Sequence, residues 1–420
     1  MIASNPHSPP PAQHDAYVAL RHRDFRWYIL SLFAMTLGSQ LQAVVVAWQV
    51  YSLTHDPLSL GLIGLAEALP FIAVALPAGY VADRWNRRTV SVLALAVLAL
   101  CSVALLVLSA AHGMLARVGV TPIYAVIFAS GIARSLLQPA RQALSSELVP
   151  RHELENAIAW RSSSWQTAAV AGPALGGLLY GFAGAVTSYS VDAVLMLVAL
   201  AGMLILRYEP GERTIGRSPI VTDLLQGLRF VWSQPLILGA LSLDLFSVFL
   251  GGATALLPVF ASEILKVGPQ GLGILRAAPA VGAVAMGVFL AHRPPIARAG
   301  RTLLVSVAVF AIAIIGFGLS TSFSLSLVLL GVSGMADNVS VVIRSTLLQL
   351  LTPSDMLGRV SAVNSIFIGS SNELGAFESG VAARLFGTVP AVVAGGAAAL
   401  LVVGFTARLV PALRRLEKIS

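Results

Sequence analysis

The chain has 420 residues, of which 57% are hydrophobic and 11% charged, against roughly 25% charged residues in a soluble domain. One soluble core cannot absorb that much apolar surface, so a soluble globular protein is excluded. The formal charge of +8 does not point to nucleic acid, because the basic residues are scattered through short loops rather than gathered on one face.

Residues 1–15 contain Pro and His but no apolar stretch, and read as a disordered tail rather than a cleaved signal peptide. After Arg26 come twelve runs long enough to span a bilayer, which takes about 20 mostly apolar residues. They cover 27–51, 58–80, 89–111, 121–145, 157–182, 185–207, 235–262, 270–291, 302–320, 324–347, 360–384 and 388–410. Long runs between short polar loops predict helices, since the strands of a barrel are about ten residues long and alternate in polarity. The longest interruption, 208–234, holds Pro210, Gly211 and Pro219 before an amphipathic stretch from Val221 to Trp232.

That interruption divides the runs into six and six. The expected fold is an all-α membrane protein of twelve transmembrane helices in two pseudo-symmetric six-helix bundles. Its parts are a cytoplasmic tail (1–26), an N-terminal bundle (27–207), a cytoplasmic linker with an interfacial helix (208–234), a C-terminal bundle (235–410) and a second cytoplasmic tail (411–420). One continuous bundle with a long loop is the alternative. Placing the N-terminus in the cytoplasm leaves only Arg117, Lys266 and Arg384 on the outer side, so both termini are expected to be cytoplasmic.

Between the second and third runs lies Gly-Tyr-Val-Ala-Asp-Arg-Trp-Asn-Arg-Arg. Gly79, Asp83, Arg84, Arg87 and Arg88 match the loop pattern Gly-x-x-x-Asp-Arg-x-Gly-Arg-Arg of the major facilitator superfamily. With twelve runs in two sixes, the chain resembles that superfamily. Asn86 replaces a glycine of the pattern; asparagine tolerates a left-handed backbone, so the turn is expected to survive. Gly172, Pro173, Gly176 and Gly177 in the fifth run are similar to the motif carried there by the superfamily's drug antiporters. The competing reading of this motif is helix packing, which any bundle needs. Leu243 to Phe246, Gly251 to Pro258, Asp337 to Arg344 and Ser370 to Gly375 resemble the branch of enterobactin exporters and macrolide efflux proteins.

Charges inside a spanning helix cost about 2.5–3.5 kcal/mol each, so they are retained where they pair or line a cavity. The runs carry Glu67, Arg134, Arg141, Asp192, Asp244, Arg276, Asp337, Arg344, Glu373 and Glu378. Counting from helix ends sets Glu67, Arg134, Asp337 and Glu373 near mid-depth. Arg134, Gln138 and Arg141 share one helix face, as do Asp337 and Arg344. A carboxylate in a low-dielectric site can exchange protons near neutral pH. Glu67, Asp337 and Glu373 are therefore candidate proton-coupling groups, with Arg134, Arg344 and Asp244 as charge partners. Gln42, Gln138, Arg141 and Arg276 are candidates for the cavity. Structural salt bridges are the competing reading for each pair.

Neither a P-loop nor a nucleophile–base pair is present in the sequence, and the seven histidines and the lone Cys101 have no metal-ligand spacing. No enzymatic activity, metal or cofactor is expected, and a proton gradient is the expected energy source. The resemblance implies export of a mid-sized organic molecule by alternating access, in a bacterial inner membrane. Siderophores, drugs and macrolides are the substrates it suggests. The partners expected are that small molecule and the lipid bilayer, not nucleic acid, with the monomer as the working unit. An importer, or a membrane sensor or scaffold that transports nothing, are the alternatives.

Overall fold

A computed structural model describes residues 15–111, 113–208, 220–294, 296–353 and 356–416, with backbone alone at 75–77, 79–84, 116, 220, 221, 223 and 224. The fold is all-helical. Helices α1 (Arg23–Thr54), α2 (Pro57–Arg84), α3 (Arg87–Ala110), α4 (Thr121–Glu147) and α5 (Leu154–Ile205) form a first group. After residues 209–219 come α6 (Ile220–Ser233), α7 (Pro235–Leu250), α8 (Gly268–Ala291), α9 (Ala299–Leu319), α10 (Phe323–Leu351), α11 (Leu357–Phe386) and α12 (Thr388–Leu409). Among the described residues, ten helical stretches are long and apolar enough to cross a membrane. Helix α11, interrupted by Glu373 and Glu378, is outside those ten.

The runs expected at 157–182 and 185–207 are two helical segments of Leu154–Ile205 that follow one another with no loop between them. The direction of the chain breaks at Gly184, where φ is 77° and ψ −178°. A glycine takes that backbone without steric cost, which lets the chain reverse without a loop. Helix α7 ends at Gly251, and its path continues through a 3-10 turn (Ala253–Leu256) and a π turn (Phe260–Ile264).

Asn86 corrects one expectation. Its backbone is extended (φ −63°, ψ 118°), not left-handed. Its side-chain oxygen accepts from the amides of Arg88 at 2.9 Å and Thr89 at 3.3 Å, capping α3. The asparagine therefore satisfies open helix donors that a glycine would leave to water.

Within the first group, α1 packs along α5, α2 on α4, and α3 on α4 and α5. In the second, α8 and α9 pack on α10, and α7 packs on α11 and α12. The groups meet where α2 lies on α11 and α5 on α8. One end of the molecule carries the α1–α2 connection at Asp56; the other carries the α2–α3 connection before Arg87. At the Asp56 end an apolar cluster is shared, with Val44, Tyr51 and Leu60 packed among Leu256, Phe260, Leu272 and Phe317. At the Arg87 end the clusters are separate: Phe25, Tyr28, Leu144 and Met203 in one group, Leu243, Leu303, Ile343 and Leu347 in the other.

Candidate functional site

The separation toward the Arg87 end leaves a central opening of two adjoining cavities, about 390 and 360 Å³. Glu67, Arg134, Gln138 and Glu373 line both. Arg141, Arg276 and Trp165 line the larger one. The 134, 138, 141 spacing on α4 puts those three side chains on one helix face, and that face borders the cavity. Arg134 Nη1 donates to Glu67 Oε1 at 2.8 Å. Glu373 meets Glu67 from α11, in the other group. Arg276 enters from α8, close enough to feel both carboxylates. Arg141 points toward the Met35 sulfur at 3.7 Å. Two glutamates and three arginines thus share one opening, contributed by both groups of helices.

Gln42 stands apart from its expected place. It is buried behind Arg134 rather than on the cavity wall. Its Oε1 accepts from Arg134 Nη2 at 3.3 Å, and its Nε2 donates to Asp192 Oδ2 at 2.7 Å and Ser102 Oγ at 3.3 Å. Asp192 was not among the candidate site residues; a single charge in an apolar run carries no signal of the side chains around it.

In the second group, Arg344 pairs with Asp244 at 2.5 Å, and its Nε donates to Ser340 at 3.2 Å. Asp337 shares a helix face with Arg344 but not its ion pair among the described residues. The guanidinium extends across to α7, where Asp244 sits. Asp337 instead lines a separate space of about 190 Å³ with Thr254, Ser333 and Asn372, beside the break after α7.

Of the loop motif, the side chains of Gly79, Asp83 and Arg84 lie outside the described residues. Arg87 ion-pairs with Glu147 at the end of α4. Arg88 donates to the carbonyls of Met203 at 3.3 Å and Leu204 at 2.6 Å, neutralising the end of α5. Both contacts stay within the first group of helices. The glycines of the Gly-Pro motif are close-packed: Gly172 and Gly176 lie on α1 against Gln40 and Leu41, and Pro173 is inside α5. Gly177 meets Gly273 of α8 so closely that a Cβ there would lie 2.7 Å from the Gly273 Cα.

At the Asp56 end two polar contacts join the groups. Tyr51 donates to Glu263 in the π turn, and Arg384 pairs with Asp56 at 2.7 Å. Nothing local in the sequence marks these partners, which lie more than 200 positions apart.

The family described as transmembrane secretion effector (MFS_3) matches residues 14–419. The chain is 29% identical over 347 residues to the enterobactin exporter EntS of Escherichia coli O139:H28 (strain E24377A / ETEC), covering 81% of each chain. The same figures hold for EntS of Shigella boydii serotype 18 (strain CDC 3083-94 / BS512). Among solved structures, a bacterial homolog of the human lysosomal transporter Spinster, inward-facing and unoccupied, aligns with TM-score 0.67 at 16% identity, over 93% of this chain and 96% of that one. A POT family transporter in complex with 5-aminolevulinic acid aligns with TM-score 0.69 at 12% identity, over 93% and 96%. These likenesses carry the fold, and the relatives are transporters, not enzymes. A family match over nearly the whole chain, an all-helical membrane fold and a charged opening between two groups of helices agree: the chain belongs to the transmembrane secretion effector family of the major facilitator superfamily.

Proposed function

We propose that this transporter is a proton-driven exporter of a mid-sized organic molecule, working by alternating access in a bacterial inner membrane with both termini cytoplasmic. One observation carries the reading. Glu67 and Glu373, from opposite groups of helices, line the same cavity, with Arg134 bonded to Glu67. Carboxylates that lose or gain a proton there change their hold on arginine, and so bias the packing of the two groups. In this reading residues 27–207 and 235–410 are two six-helix bundles, α5 counts as two spans about Gly184, and α11 completes twelve. The contacts gathered at the Asp56 end support an inward-facing state in this reading, with the cavity open toward the cytoplasm. Asp83 then latches the two bundles in the opposite, outward-facing state.

The cavity's three arginines and two glutamates suit an organic ligand with both anionic and apolar parts. Similarity to enterobactin exporters supports a siderophore, with drugs and macrolides as further substrates to test. Full-length protein in liposomes with an imposed pH gradient tests the reading, with enterobactin and a macrolide as probes. The expected result is gradient-dependent flux of one probe, lost in Glu67→Gln and in Asp83→Asn while both variants insert normally. Flux independent of the gradient overturns proton coupling. Uptake coupled to proton entry makes the protein an importer, and binding without flux makes it a sensor.

A further inference from the structure

Behind the cavity wall a line of side chains runs Glu67, Arg134, Gln42, Asp192, across α2, α4, α1 and α5. Its far end is closed off. Asp192 is fully enclosed, 0% exposed, in the segment of α5 after Gly184. Its Oδ2 accepts from the Gln42 amide at 2.7 Å, and Ser102 lies beside the carboxylate. No donor meets Oδ1 at hydrogen-bonding geometry, and Gly38 of α1 faces that oxygen. No cation touches Asp192 among the described residues; Arg134 stands one side chain away, on the other face of Gln42.

A carboxamide has a donor end and an acceptor end. An ionised Asp192 accepts only, so it holds the NH2 end of Gln42, and Oε1 then faces Arg134, as observed at 3.3 Å. A proton taken from water onto either carboxylate oxygen makes Asp192 a neutral acid with an O–H donor. Gln42 then loses a charge-assisted bond, which is about twice as strong as a neutral one. Its amide is free to turn, and an NH2 group turned toward Arg134 meets a donor with a donor.

We propose that Asp192 is a positioning residue for the Arg134–Glu67 pair: its charge orients the Gln42 amide, which in turn supplies or withdraws the second acceptor of Arg134. The proposal rests on the reading that this pair takes part in coupling. The other titratable or charged groups around Asp192 are Cys101 on α3, Arg134 on α4 and Tyr189 on its own helix. The Tyr189 hydroxyl donates to Gln49 Oε1 at 2.8 Å, and α1 presents Gly38 and Gln42 to the carboxylate. On the cavity side, Arg134 and Glu67 are faced by Glu373 of α11 and Arg276 of α8.

The test is pH-difference infrared spectroscopy on the full-length protein in lipid with isotope-labelled arginine. The readout is the wild-type spectrum minus each variant's, in which the components of Glu67 and Glu373 common to all three proteins cancel. Wild type minus Asp192→Asn is expected to leave one protonated-carboxyl component and a guanidinium component with the same midpoint. Wild type minus Gln42→Leu is expected to leave the same guanidinium component and no carboxyl component. A difference for Asp192→Asn that holds no carboxyl component overturns the proposal, as does a difference for Gln42→Leu that holds no guanidinium component. A purely structural role lowers the unfolding temperature of both variants and leaves no guanidinium component in either difference, which also overturns it. The spectra need neither substrate nor gradient, so they fail separately from the coupling reading, which is scored by flux in Glu67→Gln.

Discussion

Arg384, near the end of α11, pairs with Asp56, just before α2, at 2.7 Å. This bond and the Tyr51–Glu263 bond tie the two groups of helices together at one end. The Arg384 side chain is 56% exposed, so its pair contributes about 0–1 kcal/mol. A hydrogen bond to a charged group is worth about 1.5–3 kcal/mol. Arg384→Gln is expected to shift the population toward opening at this end by less than about fivefold, and Tyr51→Phe by about tenfold or more. Spin labels at the exposed Leu53 and Leu385, in a Cys101→Ala background, report the shift as a longer interlabel distance. Unchanged distributions in the double variant refute a role for these two bonds in holding this end closed.

The Arg344–Asp244 pair is nearly enclosed, with side-chain exposures of 6% and 10%. Removing one partner leaves the other charge buried and unpaired, at a cost of about 3–5 kcal/mol. Asp244→Asn and Arg344→Met are each expected to unfold at clearly lower temperature in detergent. Replacing both together, Asp244→Leu with Arg344→Met, recovers most of the loss. A double variant as unstable as the sum of the singles shows that the pair does more than neutralise itself.

Capping by Asn86 separates two accounts of the loop. If the position required a left-handed backbone, restoring the family's glycine would stabilise the protein. The observed extended backbone and its two accepted bonds predict the reverse. Asn86→Ala is expected to cost about 1 kcal/mol and Asn86→Gly only a few tenths. Thermal unfolding of the two variants orders them.

Glu67 and Glu373 meet at the cavity, yet of the two only Glu67 accepts a bond from Arg134 among the described residues. Losing a hydrogen bond to a charged group changes an equilibrium by about tenfold to a hundredfold. Glu67→Gln is expected to cut proton-driven flux by at least about tenfold, and Glu373→Gln to make flux insensitive to the imposed gradient. Asp337→Asn leaves the cavity pair untouched and is expected to act, if at all, by a different route. Initial rates in proteoliposomes at two internal pH values distinguish these outcomes.

Hydropathy makes the helices legible, because each span must be apolar over its own length whatever its neighbours are. The loop motif and the Arg134, Gln138, Arg141 stripe are legible for a related reason: loop chemistry and helical period are local. The Gly184 reversal was foreseen as a gap between runs, but not its form as a single residue of positive φ. Asp192 was passed over and Gln42 placed on the cavity, because their surroundings depend on which helices lie beside them. Arg344 and Asp244 were both named as charge partners, but their pairing with each other was not legible: sharing a face with Asp337 says nothing about the reach of the guanidinium to α7.

The amino-acid sequence by itself determined that the chain is an all-helical membrane protein, where its long helices fall and which charges they carry. Local energetics suffices for that, since an apolar run of about 20 residues favours lipid whichever helix lies next to it. Only the tertiary structure decided which charges meet. It joined Glu67 to Arg134 and Arg344 to Asp244, and brought Glu373 to the same cavity from the far side of the molecule. It also placed the α2–α3 connection, at which the family resemblance began, at the end where the two groups of helices stand apart. There Arg87 and Arg88 hold α4 and α5. Partner choice over such distances is set by helix packing, which no short stretch of sequence contains.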